Sequence, residues 1–360
     1  MMIEEVLNKE SFSREDLIRL LSADETESLK IFNKAQQVRK EYVGNKVYFR
    51  GLIEYSNICS KNCFYCGIRS GNKNQSRYQL TNQEVIDAAR YAHKNRFASI
   101  VIQSGERSSK KFIDTIEYLL KEIASLTNDE LHVTLSLGEQ SEETYKRWFN
   151  AGSQRYLLRI ETSNPELYKK IHPDNNLHRY ESRLENLKLL RNTGFMVGTG
   201  VMIGLPFQQI EDLADDLLFF RDFDIDMVGM GPYIEHKNTP LYQYKDQLLP
   251  LKERLQLSMK MVALLRIMMK DINIAATTAM QTIDPKGREK ALLAGANVMM
   301  PNVTPLKYKE NYLLYDNKPG TEDDAERGKV AMESDILNTG NEIGYGEWGD
   351  PQHFRRRANR

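Results

Sequence analysis

Short apolar runs rich in β-branched residues alternate with longer amphipathic stretches from residue 47 to about residue 300. The short runs have the length of strands, and the longer ones repeat their apolar residues at helical spacing. The predicted strands are 47–55, 98–103, 131–137, 155–161, 196–203, 226–231, 272–278 and 296–300. The clearest predicted helices are 83–94, 111–125, 179–192, 211–222 and 255–269. This alternation favours an α/β fold, a parallel (β/α)8 barrel of TIM type, and the alternative is a doubly wound open sheet.

The two ends of the chain differ from this repeating part. In residues 1–44, Ser13 followed by Asp16 resembles the start of a helix, and apolar residues follow at helical spacing. We therefore predict an N-terminal helical segment, 1–44, packed on a barrel that spans 45–310. Residues 311–360 are more polar and predict a loop-rich C-terminal extension, whose basic end at 355–357 is expected to be solvated.

Polar residues interrupt the predicted strands on one face. In 155–161 the residues of one parity are apolar, whereas Arg159 and Glu161 share the other parity. If the apolar face packs on helices, Arg159 and Glu161 point into the barrel, and Ser136 does so on its own strand. Buried polar groups are costly unless they are paired or solvated. They predict an internal ligand chamber, and a network of satisfied ion pairs is the alternative.

The charge balance excludes some classes of partner. Lys and Arg total 50, as do Asp and Glu, so the net charge is zero. A neutral chain offers no electrostatic attraction to nucleic acid or to an anionic membrane surface. No stretch reaches the roughly 18 apolar residues of a membrane helix, and residues 1–9 do not resemble a secretory signal. We expect a cytoplasmic protein with no nucleic-acid or membrane partner.

The chain has three cysteines, Cys59, Cys63 and Cys66, in a CxxxCxxC motif directly after the first predicted strand. An odd, tightly clustered set cannot form a disulfide framework and suits a metal site in a reducing compartment. Structural zinc, the alternative, would need a fourth protein ligand, and the chain has no fourth cysteine. A 4Fe-4S cluster on three thiolates leaves one iron open to a small molecule, and this is the favoured interpretation.

The CxxxCxxC spacing, with aromatic Tyr65 directly before the last cysteine, resembles the signature of the radical S-adenosylmethionine (radical-SAM) superfamily. The resemblance implies that the open iron binds S-adenosylmethionine and that an electron from the cluster releases a 5′-deoxyadenosyl radical. By the same resemblance, the cofactor-binding residues are Tyr65, Gly105, Glu106, Glu161 and Arg183. The alternatives are an ordinary Gly-Glu turn, an ion pair between Arg159 and Glu161, and a solvated helix face at Arg183.

A longer ordered set of segments resembles the HydE family of FeFe-hydrogenase maturases. These segments are 54–57, 66–69, 72–74, 77–78, 103–106, 134–139, 156–159, 276–280 and 300–302. The resemblance implies an organometallic substrate, an iron–cysteine complex that carries carbon monoxide and cyanide and leads to the hydrogenase diiron subcluster. It also implies transient contact with other hydrogenase maturases. The predicted chamber lining is Arg159, Ser136, Thr277, Thr278 and Tyr308, with ordinary barrel packing of these residues as the alternative.

Two other functions compete with this interpretation. One is a radical-SAM mutase that resembles methylornithine synthase and acts on an amino acid, and the other is a non-catalytic iron–sulfur carrier, which needs no chamber. Some HydE relatives hold a second cluster on C-terminal cysteines. This chain has no cysteine after Cys66, which excludes a second cysteine-ligated cluster and argues against biotin synthase.

Overall fold

The computed structural model describes residues 2–358 and confirms a barrel of parallel strands. Its strands are β1 (Lys46–Phe49), β2 (Gly51–Ser56), β3 (Ser99–Ser104), β4 (His132–Ser136), β5 (Ser153–Leu157), β6 (Met196–Thr199), β7 (Met202–Ile203), β8 (Met227–Val228), β9 (Gly231–Pro232), β10 (Asn273–Ile274), β11 (Val298–Met299) and β12 (Glu342–Ile343). Every one of the eight predicted strands overlaps an observed strand. β10 ends earlier than expected, because the chain turns into a helix at Thr278.

The order of the strands distinguishes a barrel from an open sheet. Seven strands pair in the order β10-β8-β6-β5-β4-β3-β2, all parallel. β11 pairs with β1, which continues into β2 after Arg50. A parallel bridge between Ala275 and Val298 then joins the β10 side to β11. The last strand therefore returns to the first, which is the connection that an open sheet lacks.

Helices cover the outside of the barrel. They are α1 (Ile3–Leu7), α2 (Arg14–Leu21), α3 (Glu25–Tyr42), α4 (Asn82–Lys94), α5 (Lys110–Thr127), α6 (Glu142–Asn150), α7 (Pro165–Lys170), α8 (Tyr180–Thr193), α9 (Ile210–Asp222), α10 (Leu251–Met268), α11 (Thr278–Ile283), α12 (Gly287–Leu293), α13 (Leu306–Lys309), α14 (Ala325–Asn338) and α15 (Gln352–Ala358). Short 3-10 helices occupy Asn176–His178 and Pro240–Gln247. Capping side chains determine several starts, as at Thr81, whose hydroxyl accepts from the backbone of Glu84.

The N-terminal helices pack on the outside of the barrel. α2 begins where the sequence predicts it, since the Ser13 hydroxyl accepts from the Asp16 backbone N–H at 3.2 Å. Arg14 then pairs with Asp215 of α9 at 2.6 Å. The buried ammonium of Lys260 on α10 donates to the carbonyls of Leu21 and Ala23. These contacts join the first helices to the helical layer rather than to the chamber.

The expectation of a loop-rich C-terminal extension is only partly correct, and its basic end is solvated at Arg355 and Arg356 but not at Arg357. This region contains the 14-residue helix α14, and β12 pairs with β1. The guanidinium of Arg357 lies 2.8 Å from the fully buried carboxylate of Asp226. The segment before α15 covers the amino-terminal end of the barrel, where Arg155 donates to the carbonyl of Trp348 at 2.7 Å. Polarity alone does not predict this, because the buried partners are distant in the sequence.

Among residues 2–358, no helix combines the length and the apolar composition needed to cross a lipid bilayer. The core instead surrounds the barrel, between the outer faces of the strands and the inner faces of the helices.

One buried carboxyl on α9 predicts an effect of pH on stability. Burial raises the pKa of Asp216 to about 7, and the Ser163 backbone N–H donates to its carboxyl at 2.6 Å. A carboxyl whose pKa is higher in the folded than in the unfolded state stabilises the fold at low pH and loses this contribution as pH rises through 7. We expect Asp216→Asn to raise the free energy of unfolding by about 2 kcal/mol at pH 8. The gain should shrink as pH falls and vanish near pH 4, the pKa of an aspartate in the unfolded state, and urea unfolding at pH 8 and pH 4 will test this.

Candidate active site

The cysteine motif lies on a loop that follows β2 at the carboxyl end of the barrel. We call residues 57–79 the cysteine loop. The guanidinium of Arg77 holds this loop together by donating to the backbone carbonyls of Asn57 and Ile68 at 2.7 Å and of Asn72 at 2.9 Å. The loop is therefore a folded unit whose shape depends on its own internal hydrogen bonds.

The three thiols lie close together within this loop. Burial, and after it negative charge on Cys59, raises the pKa of Cys63 to about 12. Burial also raises the pKa values of Cys59 and Cys66. The Glu106 backbone N–H donates to the Cys59 sulfur at 3.3 Å. Three soft sulfur ligands on one short loop fit a 4Fe-4S cluster, whose binding must displace the thiol protons.

The predicted Gly-Glu turn lies directly against the cysteine loop. A Cβ atom on Gly105 would lie 2.5 Å from the Ile58 carbonyl oxygen and 2.8 Å from the Cys59 Cβ, so only glycine fits there. The Gly105 N–H donates to Ser56 O at 2.8 Å, and the Glu106 carbonyl accepts from the Ser60 N–H at 2.9 Å. The turn therefore places the Glu106 carboxylate beside the thiols.

Glu106 belongs to a buried group of four charges, Lys61, Glu106, Glu139 and Arg183, which we call the charge quartet. Each side chain is at most 14% exposed. Lys61 lies 3.1 Å from both carboxylates, whereas Arg183 lies 2.6 Å from Glu139 and 3.9 Å from Glu106. Sequence reasoning missed Lys61 and Glu139 as site residues, although Lys61 lies within the CxxxCxxC motif and Glu139 ends the segment 134–139.

The two carboxyls of the quartet differ in their electrostatics. Burial raises the pKa of Glu106, because Arg183 and Lys61 only partly offset it. Burial acts on Glu139 as well, but Arg183 and Lys61 outweigh it and lower the pKa of that carboxyl. The shorter distance from Arg183 to Glu139 explains the difference. Arg183 therefore neutralises Glu139, and Glu106 remains the carboxyl more available to a cationic ligand.

Arg159 and Glu161 form an ion pair. This pairing was the alternative to a cofactor-binding role for Glu161. The guanidinium lies 3.0 Å from the carboxylate and also donates to the carbonyls of Val201 and Gly229. Glu161 has φ +68°, a left-handed conformation that is strained for a non-glycine residue and recurs at functional sites. The Arg159 side chain remains 29% exposed, so its pairing is compatible with a ligand in the chamber.

The hydroxyl residues predicted to line the chamber have different surroundings. Ser136 ends β4 and is half-buried. Thr277 donates to Met230 O at 3.3 Å, and Thr278 accepts from Arg288 at 3.1 Å in the first turn of α11. Tyr308 differs, because its hydroxyl donates to Glu84 on α4 at 3.2 Å. We therefore leave Tyr308 out of the proposed lining.

Two aromatic residues lie next to the thiols. The Tyr65 hydroxyl is 3.3 Å from His172 Nε2, and the two rings meet edge to face. Burial raises the pKa of Tyr312, from the C-terminal extension, and negative charge on Cys66 and Cys59 is among the smaller causes of the same shift. Sequence reasoning missed Tyr312, since nothing local marks a tyrosine of the extension as a neighbour of the cysteines.

Comparisons with known proteins agree with this site. Residues 53–220 match the Radical SAM superfamily. The chain is 47% identical over 317 residues to the [FeFe] hydrogenase maturase subunit HydE of Thermotoga maritima, covering 88% of this chain and 87% of that protein. It is 25% identical to the 3-methylornithine synthase of Methanosarcina acetivorans, over 86% of this chain and 85% of that one.

A solved structure shows the same fold. The FeFe-hydrogenase maturase HydG from Carboxydothermus hydrogenoformans superimposes with a TM-score of 0.80 over 98% of this chain and 80% of that chain. At 20% identity this likeness concerns the fold alone. The HydE relative is more informative, because nearly half of its residues are the same along almost the whole length of both proteins. The chain therefore belongs to the HydE family of radical-SAM enzymes, which hold a 4Fe-4S cluster and use S-adenosylmethionine.

Proposed function

We propose that this protein acts in FeFe-hydrogenase maturation, on a small anionic iron–cysteine complex that carries carbon monoxide and cyanide. The observation that carries the proposal is the 47% identity to a HydE maturase over 88% of the chain. We also propose transient contact with the other maturases. A cytoplasmic location is supported by the three unpaired thiols, which a reducing compartment preserves.

Different residues at this site would bind the cluster and S-adenosylmethionine. Cys59, Cys63 and Cys66 would bind three irons of the cluster. When bound, the cluster supplies the electron that splits S-adenosylmethionine into methionine and a 5′-deoxyadenosyl radical. Glu106 would accept hydrogen bonds from the amino group of S-adenosylmethionine, because its carboxylate lies beside the thiols and Arg183 is committed to Glu139.

We assign the other predicted cofactor contacts to Tyr65, Gly105, Glu161 and Arg183. Gly105 brings the backbone close to the cluster, as its contact with Ile58 requires. Tyr65 offers a ring that His172 holds in one orientation. Glu161 and Arg183 are connected through Arg159, since Arg183 donates to the Arg159 carbonyl at 2.6 Å. A shift in the position of Glu161, Arg159 or Arg183 would therefore displace the other two.

The chamber suits a substrate that is small and negatively charged. Among the residues proposed to line it, Arg159 is the cation, with a side chain that is 29% exposed, and Ser136, Thr277 and Thr278 would supply hydroxyl groups. A guanidinium presents several donors in a planar fork, which fits anionic ligands with more than one acceptor. Arg159 would hold the complex while the radical reacts with its sulfur.

The function is tested by activation of a hydrogenase that lacks its diiron subcluster. The anaerobic, reconstituted protein is combined with the other two maturases and S-adenosylmethionine, and hydrogen evolution is measured with and without it. Activation that depends on this protein supports the proposal. In a parallel assay with lysine, formation of methylornithine without any activation would replace the proposal with the mutase. Formation of no 5′-deoxyadenosine in either assay would leave the carrier as the better interpretation.

We expect Arg159→Lys to lower hydrogenase activation about tenfold, and to lower it more than 5′-deoxyadenosine formation. Lysine keeps the charge but loses the planar fork, so anchoring of the substrate should suffer more than cluster chemistry. Arg179→Lys is the matched control, because that arginine is 61% exposed beside Glu181. Equal losses in the two assays would show that Arg159 acts on the cofactor site and not on the substrate.

A further inference from the structure

A short segment after α7 contacts the cysteine loop at four places. We call residues 171–178 the clamp segment. Its contacts are Ile171 O with the Phe64 N–H (3.0 Å), His172 Nε2 with the Tyr65 hydroxyl (3.3 Å), Leu177 O with the Lys61 ammonium, and His178 Nε2 with the Asn62 N–H (2.8 Å). The loop residues concerned are 61, 62, 64 and 65, which all lie between the first and the last cysteine. The clamp segment therefore contacts most of the stretch that spaces the thiols.

The contact of His178 with Asn62 is shorter than that of His172 with Tyr65, and His178 is 5% exposed. A backbone N–H can only donate, so His178 Nε2 must be an unprotonated acceptor. The ring proton is then on Nδ1, where it donates to the side-chain oxygen of Asn175 at 2.7 Å. The same oxygen accepts from the Leu177 N–H at 3.0 Å, so its orientation is determined as well. Asn175 therefore selects the tautomer that lets His178 hold the loop.

The Asn62 backbone is a sensitive place for this contact. It lies between Cys59 and Cys63, and the Asn62 side-chain oxygen accepts from Arg69 at 2.7 Å and from the Gly71 N–H at 3.0 Å. With the side chain held from one direction and the backbone N–H held by His178, the peptide between the first two cysteines has one orientation. That orientation decides where the two sulfurs point.

We propose that His178, held as its Nδ1–H tautomer by Asn175, is a positioning residue for the cluster thiolates of Cys59 and Cys63. It would act through the Asn62 backbone rather than as a ligand of the cluster or of S-adenosylmethionine. Its consequence is a cluster whose open iron is oriented to receive S-adenosylmethionine. The inference rests on the cluster site alone. An experiment can therefore refute it without refuting the proposed maturation substrate.

The decisive pair of variants is His178→Phe and His178→Gln. Phenylalanine keeps the ring and removes the acceptor, whereas the glutamine side-chain oxygen can accept from Asn62 in place of Nε2. After anaerobic reconstitution, three quantities are measured: iron per chain, binding of S-adenosylmethionine by equilibrium dialysis, and the electron paramagnetic resonance (EPR) spectrum of the reduced cluster before and after S-adenosylmethionine is added. We expect His178→Phe to bind S-adenosylmethionine about tenfold more weakly, the effect of one unpaired buried donor. Its EPR change should be diminished, and His178→Gln should restore both.

A second pair tests the tautomer and does not depend on the folding of the first. Asn175→Ala frees the histidine to carry its proton on either nitrogen and should give the same EPR defect in weaker form. Asn175→Asp keeps an acceptor for the Nδ1–H and should behave as wild type. Asn176→Ala, at an exposed neighbouring position, is the matched control.

Two results would overturn the proposal. One is wild-type binding and spectra in both His178→Phe and Asn175→Ala. The other is a glutamine variant as defective as the phenylalanine variant, since this would show that shape and not the hydrogen bond matters. If His178→Phe does not fold, as circular dichroism will show, the comparison of Asn175→Ala with Asn175→Asp decides.

Discussion

Replacing Cys63 with serine will leave the protein unable to retain its 4Fe-4S cluster and unable to cleave S-adenosylmethionine. The chain has three cysteines and all three are in the motif, so no other thiolate can take the vacant position. A serine hydroxyl is a harder and far less acidic ligand, and a buried one is not expected to ionise for iron. Loss of a second-shell partner alone costs about 10- to 100-fold in metal sites, and loss of a ligand should exceed about a hundredfold.

The measurements are iron per chain after reconstitution and 5′-deoxyadenosine formed with dithionite. Ser70→Ala is the matched control, because it is also a one-atom change within the cysteine loop but not at a thiol. We expect that control to retain wild-type iron. A Cys63→Ser protein that still held iron and formed 5′-deoxyadenosine at the wild-type rate would show that Cys63 is not a cluster ligand.

The second large effect is expected for Arg183→Met, which removes one cation from the charge quartet. Two buried carboxylates would then share the single ammonium of Lys61. Removing one partner of a buried ion pair costs about 3–5 kcal/mol, because the other charge is left without compensation. We expect a loss of this order in the free energy of unfolding at neutral pH. We also expect weaker binding of S-adenosylmethionine, because Arg183 is itself one of the proposed cofactor contacts and its loss leaves Glu139 without its closest cation.

The pH dependence of the Arg183→Met effect has a definite sign. Without Arg183, the pKa of Glu139 should rise, as burial already raises that of Glu106. A carboxyl with a raised folded-state pKa costs stability as pH increases. The difference between wild type and variant should therefore be larger at pH 8 than at pH 5.5, in urea unfolding under anaerobic conditions.

The double variant Arg183→Met/Glu139→Gln is the control for this interpretation. It leaves one carboxylate with one ammonium and should recover part of the lost stability, so the two changes should not be additive. Additive losses would mean that the methionine variant suffers from lost packing rather than from unbalanced charge.

The sequence predicted the barrel well because its signals are local. The alternation of short apolar runs with amphipathic stretches reports which face of each element is buried, and helix starts depend on side chains three residues away, as at Ser13. The cysteine motif was predictable for a similar reason. Three thiols within eight residues must lie close together, so their count and spacing suffice to indicate a single cluster.

The sequence did not predict the partners of the charged residues. Lys61 meets Glu139 across 78 positions of the chain, and Arg357 meets Asp226 across 131. Periodicity identifies a polar position but not the charge that faces it. Tyr308 was expected in the chamber from the family resemblance, whereas its hydroxyl contacts Glu84 on the first turn of α4.

By itself, then, the amino-acid sequence determined the succession of strands and helices and the capacity to bind one cluster through Cys59, Cys63 and Cys66. Both depend on residues that are neighbours in the chain. Only the tertiary structure decided that Arg183 neutralises Glu139 and leaves Glu106 beside the thiols, and that His178 accepts from Asn62 within the motif. These pairings depend on distances set by the packing of separate elements, because the strength of a charge or hydrogen-bond interaction falls with separation in space and not in sequence.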